Sequence, residues 1–243
     1  MISVTVRVGL PLLLALVAVS CSSPSARSDR TPKSGVRGRV EFTGEVPAPR
    51  RIVVPASFGN TMPATVFVQP YPVGPTGGLG EVLVYIADPP AIAFDPPYGE
   101  ALLRITNTVC QPALLAVITN QPVRFQVAGG PPLNLQAAPR AGGGWNRAVR
   151  SGGEFVVRFE QPDLHVKISE NNAPWLAARI AVFDHPWFAV TDASGAFTLP
   201  PLPPGEYTLE ASHRRCGFQE HKIVVTAAGA QIVLEMAPPG TAE

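Results

Sequence analysis

Short segments in which apolar and polar residues alternate recur along most of the chain and predict an all-β protein. In one of them, Phe155, Val157 and Phe159 fall on one face of an extended strand and charged residues occupy the other. Short apolar runs bounded by Gly or Pro predict the remaining strands. The predicted strands are residues 36–42, 64–68, 81–86, 102–106, 114–119, 123–127, 154–160, 164–168, 178–183, 187–191, 196–199, 206–211, 221–226 and 231–235.

Three stretches interrupt this alternation. Residues 88–100 are rich in proline and predict a stiff loop, whereas residues 128–153 are rich in glycine and predict a long mobile excursion. One helical turn is expected around residues 172–177. The chain has 28 Pro and 22 Gly, which excludes long helices, and its hydrophobic content of 46% is enough for a core.

The N-terminus has the pattern of an export signal. Residues 1–20 hold one charged side chain, Arg7, followed by an apolar run too short for the roughly 20 residues of a membrane span. The sequence Ala18-Val19-Ser20-Cys21 resembles the bacterial lipobox. That resemblance implies a diacylglycerol on Cys21 and cleavage before it. The alternative is an ordinary secretory signal with a cysteine there by chance.

A lipid anchor on Cys21 implies an extracytoplasmic protein held on a bacterial membrane through acyl chains, with residues 21–34 as a disordered polar tether. Ser22 after the cysteine favours the outer membrane where the host has one. Without Arg7, Lys and Arg balance Asp and Glu at 18 each. Because nucleic-acid binding needs a basic stripe, we expect no nucleic-acid partner.

The C-terminal third carries a turn and a strand that resemble a known module. Residues 190–197 read V-T-D-A-S-G-A-F, and residues 202–209 read L-P-P-G-E-Y-T-L. This pair of motifs resembles the carboxypeptidase regulatory-like (transthyretin-like) β-sandwich. The resemblance implies a fold and no particular function, since such modules serve as spacers, binding domains or folding supports.

A second resemblance covers residues 35–225 in outline. The segments G-G-L-G-E-V-L-V-Y (77–85), N-Q-P-V-R-F (120–125), P-W-L (174–176) and A-V-F-D-H-P-W-F-A-V-T-D (181–192) resemble plastocyanin-like proteins of the cupredoxin superfamily, including methylamine-utilisation proteins. Their copper needs two histidines and a cysteine. By position these ligands would lie in residues 128–136 and 169–175, which contain neither residue type. The resemblance therefore implies a cupredoxin-like frame without copper ligands, and no cofactor is expected.

These resemblances define the expected fold, a cupredoxin-like β-sandwich followed by a small transthyretin-like β-sandwich. The expected segments are a signal peptide (1–20), a tether (21–34), a cupredoxin-like domain (35–178), a carboxypeptidase regulatory-like domain (179–236) and a tail (237–243). One alternative stays open. The opening strands, in residues 35–87, could complete the C-terminal sandwich and leave the middle of the chain as an insertion.

Few residues suggest chemistry. Cys110 and Cys216 form an even pair in an oxidising compartment, so a disulfide is predicted, with two separate thiols as the alternative. Trp145, on a glycine-rich stretch, is a candidate for stacking on a glycan, although core packing is the more common role. His213, Cys216 and His221 lack the fourth ligand of a zinc site.

No catalytic motif of the common hydrolases or nucleotide-binding enzymes occurs, so no catalytic residue is predicted. The first hypothesis is a non-catalytic envelope lipoprotein that binds a protein or glycan partner. The second is a periplasmic copper or redox electron-transfer protein of the plastocyanin type. The third, a hydrolase with a site built from scattered carboxylates, has the least support.

Overall fold

The structure is a computed structural model that describes residues 35–56, 58, 62, 64–95, 99–140 and 142–239. The predicted signal peptide, the lipidation site Cys21, the tether and the last four residues of the tail lie outside the described residues. The described chain consists of β-strands joined by turns and loops, which confirms the all-β fold class. None of its helical turns is long and apolar enough to cross a membrane.

Eighteen strands follow one another in the described residues, and most of them coincide with the predicted ones to within a few residues. In chain order they are β1 (Val36–Phe42), β2 (Arg50–Val53), β3 (Thr65–Val68), β4 (Leu83–Ile86), β5 (Ala101–Thr106), β6 (Val109–Gln111), β7 (Leu114–Ile118), β8 (Val123–Val127), β9 (Leu133–Ala138), β10 (Trp145–Val149), β11 (Glu154–Val157), β12 (Asp163–Glu170), β13 (Ala177–Phe183), β14 (Phe188–Val190), β15 (Ala196–Thr198), β16 (Gly205–His213), β17 (Gly217–Val225) and β18 (Ala230–Met236).

Strands from both ends of the described chain form one sandwich, which we call the frame sandwich. One of its sheets has the order β15-β1-β18 and the other has the order β14-β4-β16-β17. The core between them combines residues from β1 and β4 with residues from the C-terminal strands, among them Val36, Val40, Val84, Ile86, Phe197, Leu209 and Leu234. The shared core and sheets make a single structural unit of these distant segments.

Strand pairing therefore corrects the predicted boundary at residue 178. β1 pairs in parallel with β18, from Val36 opposite Ala230 to Phe42 opposite Met236, and β4 pairs with β16. β1 and β4 lie in the same sheets as the C-terminal strands, which agrees with the alternative in which opening strands complete the C-terminal sandwich. A prediction built on local motifs misses this arrangement because the partners are far apart in the chain.

The middle of the chain forms a second sandwich, the inserted sandwich. Its sheets have the orders β10-β9-β12-β13-β7 and β11-β8-β5-β6. Large buried side chains from the two sheets meet in one core, including Leu103, Ile105, Phe125, Leu135, Ile168 and Ile180. The β2–β3 hairpin belongs with this core, since Val54 and Val66 pack into it.

Residues 128–153 hold a hairpin in place of the predicted mobile excursion. β9 and β10 pair antiparallel, from Leu133 opposite Val149 to Ala137 opposite Trp145. Leu133, Leu135 and Ala137 point into the core, so this glycine-rich stretch has an anchored face that the composition obscured. Residues 173–176 form a tight turn in place of the expected helical turn, and the Leu176 N–H donates to the Ala173 carbonyl at 2.8 Å.

The frame sandwich closes through a backbone crossing that leaves no room for side chains. A Cβ added to Gly78 would lie 1.7 Å from the Ser194 carbonyl oxygen, and one added to Gly195 would lie 2.2 Å from the Val40 oxygen. Asp192 shapes the crossing turn, because its carboxylate accepts hydrogen bonds from the Ser194 N–H (2.8 Å) and the Ala196 N–H (3.1 Å). The D-x-x-G turn of the sequence motif thus packs directly against the backbone at Val40 and Gly78.

A small apolar cluster joins the two sandwiches. Leu83 and Tyr85 of the frame pack against Leu114, Ala181 and Phe183 of the inserted sandwich. The Tyr85 and Phe183 ring centroids are 5.2 Å apart. Cavities open at other places along the same junction.

Candidate functional site

Glu170, at the end of β12, joins the two stretches in which the cupredoxin resemblance requires copper ligands. Its buried carboxylate accepts hydrogen bonds from the N–H groups of Asn172 (2.5 Å) and Ala173 (2.6 Å). In the facing stretch, the Asn134 N–H lies 3.3 Å from the same carboxylate. Because three backbone donors satisfy this buried charge, it fixes the two loops against each other.

Neighbouring side chains fill the space behind these loops. The Trp175 indole N–H donates to the Thr108 hydroxyl at 2.7 Å, and that hydroxyl oxygen lies 3.8 Å from the Met62 sulfur. The Phe58 ring packs on Trp175 with a centroid distance of 5.6 Å. Hydrogen bonds and packed side chains therefore close this end of the inserted sandwich, which we call the cap.

The residues at this cap do not fit a cupredoxin copper centre. Such a centre needs imidazole and thiolate donors, whereas the cap offers a carboxylate engaged with N–H groups, together with amides. Within the described ranges, no three His, Cys, Asp or Glu side chains lie close enough to hold a metal ion.

The predicted disulfide is absent, because Cys110 and Cys216 are free thiols in different sandwiches. Cys110 belongs to the core of the inserted sandwich, and Cys216 packs against the core of the frame. Burial raises the pKa of the Cys110 thiol to about 12 and that of the Cys216 thiol to about 11. Both thiols are therefore protonated and poorly nucleophilic at neutral pH.

Trp145 packs on the inserted core instead of standing open on a loop. Its ring lies 5.2 Å from Phe125 and 5.2 Å from Phe155, both at nearly perpendicular angles. The Arg147 guanidinium sits 5.0 Å above the Phe155 ring and covers the other side of that cluster. This arrangement matches the packing role that the sequence left open, and it does not offer the flat exposed ring that glycan stacking requires.

The four histidines are dispersed. His165 is exposed on β12, and His221 lies on β17 beside Gln219. His213 is buried, and its Nδ1 accepts from the Cys216 N–H at 3.3 Å. Burial and then the charge of Arg214 lower the pKa of His213 to about 4, so the ring is neutral at physiological pH. The structure does not bring His213, Cys216 and His221 together as metal ligands.

An apolar cleft of about 630 Å³ opens where the loop at 92–95, the strand β7 and the segment before β14 meet. Aromatic and proline residues make up half of its lining, and polar side chains are few. The lining residues are Ile92, Ala93, Phe94, Asp95, Ala116, Ile118, Gln121, Pro186, Trp187, Phe188, Pro200 and Pro201. Mostly apolar concave sites with a few polar groups are the usual form of binding pockets.

The aromatic rings of this cleft are fixed from behind. Trp187 is only 3% exposed, and its indole N–H donates to the Pro201 carbonyl at 3.3 Å. Phe94 meets Trp187 edge-on at 6.2 Å, and Phe188 stacks on Phe183 at 4.5 Å. Packing and a hydrogen bond therefore fix the positions of the rings that line the cleft.

One wall of the cleft is the unpaired edge of β7. Among the described strands, β7 ends its five-stranded sheet and pairs with β13 alone. The Thr119 N–H bonds back toward β13 at Phe183, whereas the Ile118 N–H turns outward to the Gln121 side chain at 3.1 Å. Since backbone groups alternate in direction along a strand, the N–H and C=O of Ala116 face the cleft side.

Sequence reasoning missed the cleft because its residues come from four distant segments. Residues 88–100 were predicted as a stiff proline loop, with no role for Phe94. Pro186-Trp187-Phe188 and Pro200-Pro201 were assigned to strand ends and turns. Trp187 directly follows Pro186, and Phe94 lies two residues before a proline. Aromatic residues close to prolines are the one signal that could have marked these segments.

Comparison with known families matches one part of the chain. The model of the carboxypeptidase regulatory-like domain matches residues 165–237, which confirms that resemblance for the C-terminal segment. The match includes β12 and β13 of the inserted sandwich and omits β1 and β4, which complete the frame sheets. No curated protein matches the sequence.

Solved structures similar to this chain include cupredoxins. A purple cupredoxin from Nitrosopumilus maritimus has 20% identity and a TM-score of 0.30, with 34% of this chain and 99% of that chain covered. Amicyanin from Paracoccus versutus has 10% identity and a TM-score of 0.32 over 41% and 97% of the two chains. A Cu-containing nitrite reductase from Thermus scotoductus has 15% identity and a TM-score of 0.32 over 41% and 26%.

Proposed function

We propose that this chain is a lipid-anchored, non-catalytic envelope protein that binds an extended, apolar segment of a partner protein. The observation that carries the proposal is the apolar cleft of about 630 Å³ bordered by the free edge of β7. An extended segment laid beside Ala116 gains backbone hydrogen bonds from the strand edge. Its alternate side chains then enter the cleft toward Phe94 and Phe188.

The chemistry of the cleft favours a protein segment over a glycan. Sugar binding uses exposed flat rings with many hydrogen-bonding groups around them, whereas here Trp187 is buried and the polar lining groups are Asp95 and Gln121. The packed position of Trp145 removes the other candidate platform. A glycan remains an outcome that the test distinguishes.

The cleft proposal is tested with peptides selected for binding to the purified full-length protein from a random displayed library. We expect apolar, extended peptides that bind Phe94→Glu at least tenfold more weakly than the unchanged protein, because the carboxylate sits in the apolar wall. Phe67→Glu is the matched control, since Phe67 is exposed on β3 away from the cleft. Equal binding to both variants, or saturable binding on a glycan array alone, contradicts the proposal.

The lipid anchor is tested by the intact mass of the protein produced in a bacterial host. The expected mass is that of residues 21–243 plus acyl groups, and Cys21→Ala is expected to abolish both the acyl mass and membrane fractionation. Metal analysis of the same sample tests the alternative that the protein is a copper electron-transfer protein. Stoichiometric copper with a strong visible absorption band would overturn the non-redox assignment.

A further inference from the structure

A second cavity, of about 470 Å³, lies at the junction of the two sandwiches and shares no lining residue with the apolar cleft. It is contributed by β4, β12 and β13 and by the turn between β16 and β17. The lining residues are Leu83, Tyr85, Leu164, His165, Arg179, Ser212, His213, Arg214, Gly217 and Phe218. Two of them are arginines, and none is an aspartate or glutamate.

Arg179 and Arg214 have no ion-pair partner within 4 Å in the part of the chain that the structure describes. The ion pairs there are Arg39–Glu41, Arg124–Glu100, Arg124–Glu154 and Lys222–Glu220. Arg179 is half-buried, whereas Arg214 is exposed. A half-buried arginine without a carboxylate partner costs free energy. A bound anion would offset this cost, so an unpaired arginine of this kind is typical of a site that binds an anionic ligand.

One carboxylate, that of Glu81, lies near the two arginines and forms an ion pair with neither of them in the part of the chain that the structure describes. Glu81 lines a small cavity of about 90 Å³ with both arginines. Burial lowers the pKa of Arg179, and the nearby charge of Arg214 lowers it further, whereas the charge of Glu81 has a smaller effect in the opposite direction. Burial raises the pKa of the Glu81 carboxyl, and the charges of Arg214 and Arg179 oppose that rise.

Further charged groups of both signs lie around the cavity. The Glu210 carboxylate accepts a hydrogen bond from the Tyr85 hydroxyl. The Asp163 carboxylate accepts from the N–H groups of Arg140 (2.5 Å) and His165 (2.8 Å). Arg140 acts on His165, and Arg215 acts on His213, as further positive charges.

We propose that this cavity is a binding site for a small oxyanion, a carboxylate or a phosphate, held between the guanidinium groups of Arg179 and Arg214. Guanidinium groups bind oxyanions through paired N–H donors, and two of them on opposite sandwiches make a clamp. Arg179 lies on β13 of the inserted sandwich and Arg214 on the β16–β17 turn of the frame.

Side chains beside the arginines define the ligand further. The half-buried Ser212 hydroxyl and the exposed His165 ring are additional hydrogen-bond donors at the cavity. Leu164 and Phe218 supply an apolar wall, and Phe218 is 55% exposed at the rim. The favoured ligand therefore carries one oxyanion and a short apolar group.

Calorimetric titration of the full-length protein in nonionic detergent at low salt tests this site, with inorganic phosphate, butyl phosphate and butyrate as probes. We expect saturable one-to-one binding that weakens at least tenfold in Arg179→Gln and in Arg214→Gln. Tighter binding of butyl phosphate than of inorganic phosphate supports the apolar wall. Preference between butyl phosphate and butyrate identifies the source of the oxyanion.

Arg104→Gln is the matched control, because Arg104 is an exposed arginine on β5 that lines none of these cavities. Thermal unfolding shows whether each variant folds. Arg179→Lys keeps the positive charge but loses the paired N–H donors of the guanidinium, so we expect it to bind the probes with intermediate affinity. Absence of saturable binding by all three probes overturns the proposal. Equal loss in the Arg104 variant overturns it as well, since that result indicates attraction by net charge alone.

Discussion

The frame sandwich and the inserted sandwich are held closed by different means. In the frame, backbone meets backbone where Gly78 and Gly195 cross the turn at Asp192. In the inserted sandwich, a buried carboxylate and aromatic side chains close the end that faces the Glu170 loops. A backbone crossing tolerates no side chain, so it constrains sequence strongly. A side-chain cap can be built from many residue types, so it constrains the sequence less.

Gly78→Ala tests the backbone crossing and has the largest expected effect. Its Cβ would meet the Ser194 carbonyl at 1.7 Å, so strands must separate and we expect a loss of about 4 kcal/mol or failure to fold. Urea unfolding measures the change. Gly99→Ala is the control, since no atom lies within 4 Å of its added Cβ, and its effect is expected within about 0.5 kcal/mol. Similar stability of the two variants contradicts the crossing as the closing device.

Glu170→Gln tests the side-chain cap. One carboxylate oxygen becomes an amide donor that faces backbone N–H groups, so we expect a loss of about 2 kcal/mol in unfolding free energy. Glu160→Gln, at an exposed position on the same sandwich, is expected to change little. A loss no greater than that of Glu160→Gln means that the cap does not hold the loops.

Asp192→Asn tests the turn that docks at the crossing, with an expected loss of about 1 kcal/mol at pH 7. The Ser194 hydroxyl hydrogen bond holds the pKa of Asp192 below its ordinary value. A depressed folded pKa gives stability that is present above the unfolded pKa and is lost as pH falls through the folded one. The difference between the two proteins should therefore shrink below about pH 4, and a pH-independent difference contradicts this origin.

One cysteine lies in each sandwich, so the reactivity of the two thiols compares the sandwiches without a mutation. Because both thiols are free and their pKa values are raised, we expect slow alkylation of Cys216 at pH 7 and alkylation of Cys110 only after unfolding. Peptide mass mapping after iodoacetamide treatment of the native and unfolded protein measures this order. A peptide that joins Cys110 to Cys216 in the unreduced sample contradicts the structure.

Local patterns predicted the strands well where the alternation was regular. β1 and β8 have the predicted bounds, and the strict alternation at residues 206–211 lies within β16. The turn from Asp192 to Gly195 was predicted from residue types that adopt such a conformation. β2, β6, β9 and β10 were missed, because short or glycine-flanked strands carry too few residues for a period to show.

The sites were less predictable than the strands. Ala116, Phe94 and Phe188 come together only when β7 lies beside β14, and nothing in their own neighbourhoods indicates that contact. Nothing in the sequence marks Arg179 or Arg214 as a binding residue. Their significance depends on which carboxylates the fold leaves out of reach, and that is a property of the three-dimensional arrangement alone.

The position of the inserted sandwich has a consequence for the order in which the protein can assemble. β4 and β14 are antiparallel neighbours, with Tyr85 opposite Phe188, yet the whole inserted sandwich separates them in the chain. Arg39 bonds to Ser194, 155 positions later. During synthesis from the N-terminus, β1 and β4 must therefore wait unpaired while the inserted sandwich emerges and completes its own core. The earliest strands of the frame are the last to find their partners, so their exposed edges set the period in which the nascent chain is most prone to aggregate.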